Sequence, residues 1–236
     1  MLLKTRMMLK LVAPFVFLAL VQPASAFKIK RVSTDSAVVL ILRGAVSVGD
    51  YHRLKKLLED GSVVGLEIRS GGGSLEEGLD IARVVRDKAL VVYASKGCDS
   101  ACALIFFAAT QRYIGRRCKI GVHSVSNERG KEDVDSVRTT VQMSRLLVSL
   151  GVPHSVIGKL VTTPPTRITY LDNRELVELN VRRTNPFRNI YDLAKVARTQ
   201  QASSICSRGT DVDAEPTGEA RESSCVTAST RTPADR

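Results

Sequence analysis

Short apolar runs alternate with amphipathic stretches through the first half of the chain. The runs at 36–42, 63–68 and 89–94 are rich in β-branched and leucine residues and are bounded by glycine or polar residues, which predicts buried strands. The stretches at 51–58 and 75–85 repeat apolar residues at helical spacing and predict helices. Strands that alternate with helices in this way predict an α/β domain with mainly parallel strand pairing.

The same alternation continues into the second half of the chain. It predicts strands at 112–115, 119–123 and 168–171 and helices at 133–150 and from 153 onward. No internal repeat is visible. The length of 236 residues suits one domain of ordinary size with a sizeable core.

The two ends of the chain differ from this core. A basic start, the apolar run 11–21 and the small residues Ala24-Ser25-Ala26 predict a signal peptide over 1–26, with Phe27 as the first mature residue. The apolar run is short for a membrane span, which needs about 20 residues, so an uncleaved membrane anchor is the alternative. Residues 196–236 are rich in Ser, Thr and Ala and predict a disordered tail, which leaves 27–195 as the folded domain. We therefore expect a periplasmic or secreted protein.

The composition limits the kinds of partner, disulfide and metal site that are expected. The formal net charge is +11, but no basic patch is interleaved with aromatic residues, so a solvated basic surface is expected and a nucleic-acid partner is not. Export favours disulfides, and we expect one among Cys98, Cys102 and Cys118 in preference to three buried thiols. Cys98 and Cys102 lack a second pair at ligand spacing, which argues against zinc. No metal and no cofactor is expected.

One serine occupies a position with chemical meaning. Ser100 stands where the strand at 89–94 turns into an apolar helix. The first N–H groups of a helix lack intrahelical acceptors and favour negative charge. Ser100 could therefore attack a carbonyl carbon while the Ala101 N–H faces the developing oxyanion. The alternative is that Ser100 is an N-cap, as most serines at helix starts are.

A glycine-rich loop and a histidine are the other candidates. The loop 70–74 follows a strand and could be a tight turn, a phosphate cradle or a second donor to an oxyanion, although its spacing matches no nucleotide-binding motif. His123 closes an apolar strand and is either structural or a general base. His52 and His154 fall on predicted helices and are expected at the surface.

Three segments together resemble a known family. Ile68-Arg69-Ser70-Gly71-Gly72-Gly73-Ser74, Gly97-Cys98-Asp99-Ser100-Ala101-Cys102-Ala103 and Ile120-Gly121-Val122-His123 resemble motifs of the Clp protease proteolytic subunit, within the Clp–crotonase superfamily. The resemblance covers roughly residues 37–181. It implies a spiral of βαβ units, with Ser100 as nucleophile, His123 as general base, and the N–H groups of Gly72 and Ala101 as the oxyanion hole. A catalytic triad of this kind hydrolyses peptide bonds through an acyl-enzyme.

The chain departs from the family at one catalytic position. The family's aspartate corresponds here to Ile168, and the nearest carboxylate, Asp172, fits the N-cap of a helix with Glu175 three residues on. His123 therefore has no acid that the sequence assigns. A Ser–His dyad, a triad completed by another acid or a backbone carbonyl, and a lapsed enzyme all remain open. The family's loop proline is Gly71 here.

Two functional classes follow from the sequence. The first is an ATP-independent exported serine peptidase acting on peptides or unfolded proteins, without an ATPase partner because the exported space lacks ATP. The second is a catalytically impaired binding or regulatory module of the same fold. Thioester chemistry of the crotonase kind is a weaker third, because it needs no nucleophilic serine. A homo-oligomer is compatible with each.

Overall fold

A computed structural model of the chain describes the backbone of residues 26–208 and the side chains of residues 26–201. The predicted signal peptide, apart from Ala26, lies outside the described residues, as does the predicted tail beyond Arg208. In the part of the chain that is described, no helix is long and apolar enough to cross a membrane. The signal peptide and its anchor alternative therefore stay predictions.

Seven strands and seven helices make up the described residues. The strands are β1 Lys28–Ser33, β2 Val38–Arg43, β3 Val63–Ser70, β4 Val91–Asp99, β5 Gln111–Ile114, β6 Lys119–Val122 and β7 Thr169–Tyr170. The helices are α1 Asp50–Leu58, α2 Leu75–Asp87, α3 Ala101–Ala108, α4 Val134–Ser149, α5 His154–Thr162, α6 Asn173–Glu178 and α7 Arg188–Arg208. The hydrophobic pattern predicts all of them except β1 and α7.

The strands form one sheet in the order β1-β2-β3-β4-β6-β7, and β5 also pairs with β4. β2, β3, β4 and β6 run parallel to one another, while β1 and β7 lie antiparallel at the two edges. The prediction of an α/β fold with a mainly parallel sheet is confirmed. Helices α1 and α2 connect consecutive parallel strands. The carboxyl ends of β3, β4 and β6 consequently meet at one edge of the sheet, where open α/β folds bind their ligands.

Helix α3 fixes the geometry of that edge. Its sequence is apolar on every side, and all of its residues are buried. A helix without a polar face is stable only inside a core. Phe106 and Phe107 are among the largest fully buried side chains and lie in edge-to-face contact with each other. The turn that precedes α3 is therefore attached to a fully buried helix.

The C-terminal helix corrects the predicted boundary of the tail. The composition predicts a disordered tail from residue 196, but α7 continues to Arg208. The Tyr191 hydroxyl donates to the buried Glu67 carboxylate on β3 at 2.6 Å, and Ala194 packs against Val32 and Ile41. Burial and the Glu67 contact raise the pKa of Tyr191, so this phenol stays a donor. These contacts hold the start of the helix against the sheet. They could not be predicted from the polar composition of the segment.

Candidate active site

Ser100 joins β4 to α3 in a conformation that few residues with a side chain adopt. Its φ is 58° and its ψ is −126°, and its hydroxyl makes no capping hydrogen bond. A non-glycine residue at such angles carries backbone strain of about 1–3 kcal/mol. Ser100 thus occupies the N-cap position without acting as a cap. Its Oγ has no hydrogen-bond partner among residues 26–201, and the residue lines a pocket.

Several bonds hold the strained turn in place. The Ser100 N–H donates to the Gly121 carbonyl at 2.9 Å, which ties the turn to β6. Cys98 and Cys102 flank the turn with their sulfur atoms at bonding distance and their Cα atoms 5.1 Å apart. Cys118, the third cysteine considered in the sequence, is a buried free thiol. Burial raises its pKa to about 12, with the Asp99 charge adding to the shift, so it stays protonated and unreactive.

The glycine loop lies directly against the serine. A Cβ on Gly72 would stand 2.6 Å from the Ser100 Cβ, so only glycine fits there. The Gly72 N–H, however, donates to the Ser70 hydroxyl at 3.1 Å, within its own turn. Gly73 lines the pocket, and its N–H has no hydrogen-bond partner within residues 26–201. The pair of candidate oxyanion donors therefore becomes Gly73 and Ala101, in place of the expected Gly72 and Ala101.

Ala101 is suited to that role by its place in the helix. As the first residue of α3 it has an N–H group with no intrahelical acceptor, and it lines the same pocket. The N-terminal end of a helix also carries a partial positive charge, which favours an oxyanion. The glycine loop and the helix thus both bring backbone N–H groups to the pocket that contains the serine.

His123 lies just beyond β6 and lines the pocket with Ser100. Its Nδ1 lies 2.6 Å from the Ser124 carbonyl oxygen. A carbonyl only accepts, so a neutral ring makes this contact with its proton on Nδ1 and leaves Nε2 free as an acceptor. The Ser124 N–H in turn donates to the Thr163 carbonyl at 2.8 Å, which anchors the orienting group. No hydrogen bond between His123 and Ser100 is present in the described residues; such bonds often form only with substrate.

The pocket itself has a volume of about 380 Å³. Its polar side is formed by Ser100, His123 and the glycine loop. Its apolar walls come from Leu75, Leu104, Val122, Val125, Met143 and Leu160. Ser74, Ser124, Ser126, Asn127 and Glu128 also line it, so apolar walls and polar groups meet in one concave space, as is usual for ligand sites.

The expected gap at the family's acid position is present. Ile168 directly precedes β7, its Cγ2 lies close to Gly121 on β6, and it carries no charge. Asp172 is occupied as the N-cap of α6, in a capping box with Glu175. A different carboxylate, Asp99 at the end of β4, has its Oδ1 beside Gly121, two residues before His123. Its Oδ1 is buried without a hydrogen-bond partner among the described residues.

Comparison with known proteins bears on the fold. The chain matches no protein-family model and no curated protein. ClpP1 from Listeria monocytogenes superimposes on 62% of this chain and 91% of its own, with a TM-score of 0.50 at 18% identity. A mutant of the membrane-bound stomatin-specific protease 1510-N gives a TM-score of 0.47 at 13% identity, over 63% of this chain and 79% of its own. A putative enoyl-CoA hydratase from Streptomyces coelicolor A3(2) gives 0.46 at 15% identity, over 86% of both chains.

The mixed α/β fold is similar to that of ClpP1. At 18% identity this likeness establishes architecture alone, so the chemistry of this domain follows only from its own residues. Three features of the site were not predicted from the sequence: the Gly73 N–H, the Ser124 carbonyl and the Asp99 carboxylate. Only Asp99 had a sequence signal, because a carboxylate directly before a candidate nucleophile is worth testing as its partner.

Proposed function

We propose that the protein is an ATP-independent serine peptidase with Ser100 as nucleophile and His123 as general base. The observation that carries the proposal is the Ser100 turn. Its strained backbone places a serine whose hydroxyl makes no capping hydrogen bond in a pocket shared with His123. Local strain maintained by the surrounding fold is typical of functional positions. The Clp–crotonase fold supports the proposal as an analogy of architecture.

The chemistry can be written with the groups present. Nε2 of His123 takes the proton of Ser100 as Oγ attacks the peptide carbonyl carbon. The N–H groups of Gly73 and Ala101 stabilise the negative charge that develops on the carbonyl oxygen. The protonated imidazole then gives its proton to the leaving amine, and the C–N bond breaks to leave an acyl-enzyme. His123 next deprotonates a water molecule, which attacks the ester and releases the acid and free Ser100.

The walls of the pocket indicate the class of substrate. Apolar side chains from α2, α3 and α4, among them Leu75, Leu104 and Met143, surround the space beside Ser100. We therefore propose that the enzyme cleaves after an apolar residue of medium size in a peptide or unfolded protein. The free energy of burying such a side chain, about 1.5–3 kcal/mol, would favour these substrates over those with a charged residue at that position.

A fluorophosphonate probe tests the proposal, because it reacts covalently with activated serines. We expect the purified protein to be labelled at Ser100 and Ser100→Ala to be unlabelled. His123→Ala should be labelled about 10²–10⁴ times more slowly, since it removes the general base. Ser149→Ala changes an exposed serine on α4 and serves as the matched control, with unchanged labelling.

Two observations favour the second candidate, a binding or regulatory module. The position of the family's acid is filled by Ile168, and the Ser100 hydroxyl makes no hydrogen bond to His123 in the described residues. A module of this kind would bind peptides in the pocket without cleaving them. Peptide binding with no labelling and no turnover would favour it over the peptidase.

We also propose export, with Phe27 as the mature N-terminus. Phe27 is 1% exposed, and its N–H donates to Oδ2 of Asp50, which is fully buried, at 3.1 Å. Cleavage after Ala26 would convert this amide into an ammonium group and create a buried ion pair with Asp50. The Cys98–Cys102 pair further supports an oxidising compartment. N-terminal sequencing of protein from a native-like bacterial host tests this, since an intact Met1 in the membrane fraction would favour the anchor.

A homo-oligomer is the last part of the proposal. Four valines on one side of α4 are exposed by 46–74%: Val134, Val137, Val141 and Val148. Such a stripe is more apolar than a monomer's helix face needs to be. We expect light scattering to give a mass above that of one chain, and Val137→Lys with Val141→Lys to reduce it to one.

A further inference from the structure

We propose that Asp99 is the positioning residue of the site, supplying from β4 the negative charge that stabilises protonated His123. In triad enzymes one carboxylate both fixes the histidine tautomer and stabilises the imidazolium. Here the two roles are divided, with the Ser124 carbonyl fixing the tautomer and Asp99 providing the charge. The inference rests on the proposed function, because the imidazolium forms only when His123 accepts the Ser100 proton.

The sheet brings Asp99 to the correct place. Asp99 pairs with Gly121 across β4 and β6, and His123 lies two residues further on. Paired residues on neighbouring strands point to the same face, so Asp99 and Gly121 share one face of the sheet, and His123 directly follows β6. Ile168 directly precedes β7, and its Cγ2 lies close to Gly121 from the other side of β6. Asp99 and Ile168 therefore approach Gly121, two residues before the histidine, from opposite neighbouring strands.

Gly121 is what allows the carboxylate to reach across. A Cβ at this position would collide with Oδ1 of Asp99 and with Cγ2 of Ile168. These two atoms thus lie on either side of the same small space. The Asp99 carboxylate consequently occupies a volume next to the one that the family's aspartate would fill from β7. Any side chain at 121 would push it away.

The Asp99 carboxylate also lacks the contacts that a buried acceptor needs. Its Oδ1 is buried and has no hydrogen-bond partner among residues 26–201, and an orphaned buried acceptor is destabilising. Burial raises the pKa of Asp99, while the Gly121 N–H and the His123 charge oppose the shift. The ionised Asp99 carboxylate is therefore stabilised when His123 becomes positively charged. His123 acquires this charge in the transition state of the proposed reaction.

Other charged groups near the two residues do not substitute for Asp99. The Cys118 thiol is protonated, and Arg43, Arg69 and Lys96 line the open cleft beside Asp99. Near His123, Glu132 accepts from the Ser124 hydroxyl, and Glu128 is an exposed residue at the lining of the pocket. Among these groups, only Asp99 presents a buried carboxylate oxygen without a partner.

The test is the pH dependence of fluorophosphonate labelling at Ser100. For Asp99→Asn we expect a rate about 100-fold lower, less than the roughly 10⁴-fold loss seen where the carboxylate also fixes the tautomer. The pH midpoint of labelling should move to lower pH, because the imidazolium loses the charge that favours it. Asp172→Asn is the matched control. It removes an exposed carboxylate near β7, keeps the cap, and should change neither quantity.

A second variant tests the geometry by rescue. Ile168→Asp in the Asp99→Asn background places a carboxylate on the other side of the same space. We expect it to restore at least about one tenth of the wild-type labelling rate and to return the pH midpoint towards the wild-type value. A merely structural role of Asp99 would not be rescued from a different strand.

An Asp99→Asn protein that folds and is labelled at the wild-type rate, with an unchanged pH midpoint, would overturn the inference. If wild-type Ser100 is not labelled at all, the proposed function fails, and the role of Asp99 has to be tested without labelling. NMR titration of the His123 ring, one of three histidines in the sequence, then measures its interaction with Asp99. Its midpoint must fall in Asp99→Asn, and an unchanged midpoint would refute the role assigned to Asp99.

Discussion

Two strand-to-helix turns of this domain each have a polar residue at the N-cap position, and these two residues do opposite things. After β7, the Asp172 carboxylate accepts the Glu175 N–H at 3.0 Å, and the Glu175 side chain accepts the Asp172 N–H at 2.8 Å. The Asp172 backbone has an ordinary φ of −87°. After β4, Ser100 has a φ of 58°, and its hydroxyl caps nothing. The polar groups of the Asp172 turn are hydrogen-bonded to each other, whereas the Ser100 hydroxyl makes no capping hydrogen bond.

The difference shows how to separate a structural residue from a functional candidate. The Asp172 turn pairs its polar groups within a capping box, and Lys159 of α5 adds an ion pair to Asp172 and to Glu175. The Ser100 turn is held by the Cys98–Cys102 pair, by the Gly121 carbonyl and by the buried helix that follows. A fold that maintains such strain sacrifices stability for the position of one hydroxyl. Each of the following changes tests one side of this comparison.

Removing the cysteine pair should damage the Ser100 turn most. We expect Cys98→Ala with Cys102→Ala to lower stability by about 2 kcal/mol, the loop-closure value for so short a loop. The labelling rate should fall at least about tenfold, because the oxyanion amide loses its fixed position. Cys118→Ala removes a buried free thiol and should retain the labelling rate. Denaturant unfolding and labelling of the wild type, the double variant and Cys118→Ala test this prediction. Equal labelling rates in all three proteins would show that the Cys98–Cys102 pair is dispensable for the site.

At the Asp172 turn, the expected loss is of stability alone. Asp172→Ala removes the cap and should cost about 1 kcal/mol, while Asp172→Asn should cost little because asparagine caps equally well. Both proteins should keep the wild-type labelling rate. A loss of labelling in either variant would mean that this turn also serves the site, and the comparison would fail.

Glycine at position 100 should relieve the strain. We expect Ser100→Gly to be more stable than Ser100→Ala by about 1 kcal/mol, since alanine keeps the penalty of a positive φ. Ala89 also has a positive φ, 50°, and lies outside the pocket. Ala89→Gly should therefore give a similar gain with no effect on labelling. Equal stability of the two Ser100 variants would show that the turn is not strained.

The smallest effect concerns Asp99 and pH. Its raised pKa means that the folded state holds this proton more tightly than the unfolded chain, so ionisation destabilises the fold. The penalty is absent below the ordinary pKa of about 3.9 and develops as the pH rises above it. Asp99→Asn should thus be more stable than wild type at neutral pH, with the difference vanishing in acid. Lower stability of Asp99→Asn at pH 7 would indicate a structural role.

Local patterns were sufficient to predict most of the architecture. β-branched runs and helical spacing indicated the order of strands and helices. Asp172 followed by Glu175 three residues later predicted the capping box that the structure contains. Helix α7 was missed because its attachment depends on Tyr191 reaching Glu67, 124 positions earlier in the chain. A polar composition carries no trace of such a contact.

The site was predictable in part, for the same reason. Ser100 and His123 stand out because each follows the end of a strand, which is a local feature. The Gly73 donor depends on which N–H of the loop is left free, and Gly72 donates its own to Ser70. Asp99 depends on β4 lying beside β6 and on Gly121 leaving room. Neighbouring strands and free N–H groups are properties of the folded chain, and sequence spacing does not encode them.

Activation of the Ser100 hydroxyl is the feature on which the proposed function depends. The most direct measurement is mass spectrometry of peptides from the full-length protein after reaction with a fluorophosphonate, across a series of pH values. We predict one adduct, on Ser100, whose rate of formation rises as His123 loses its proton and which disappears in Ser100→Ala. An unmodified Ser100 in folded protein at every pH, or an adduct that persists in Ser100→Ala, would contradict this prediction.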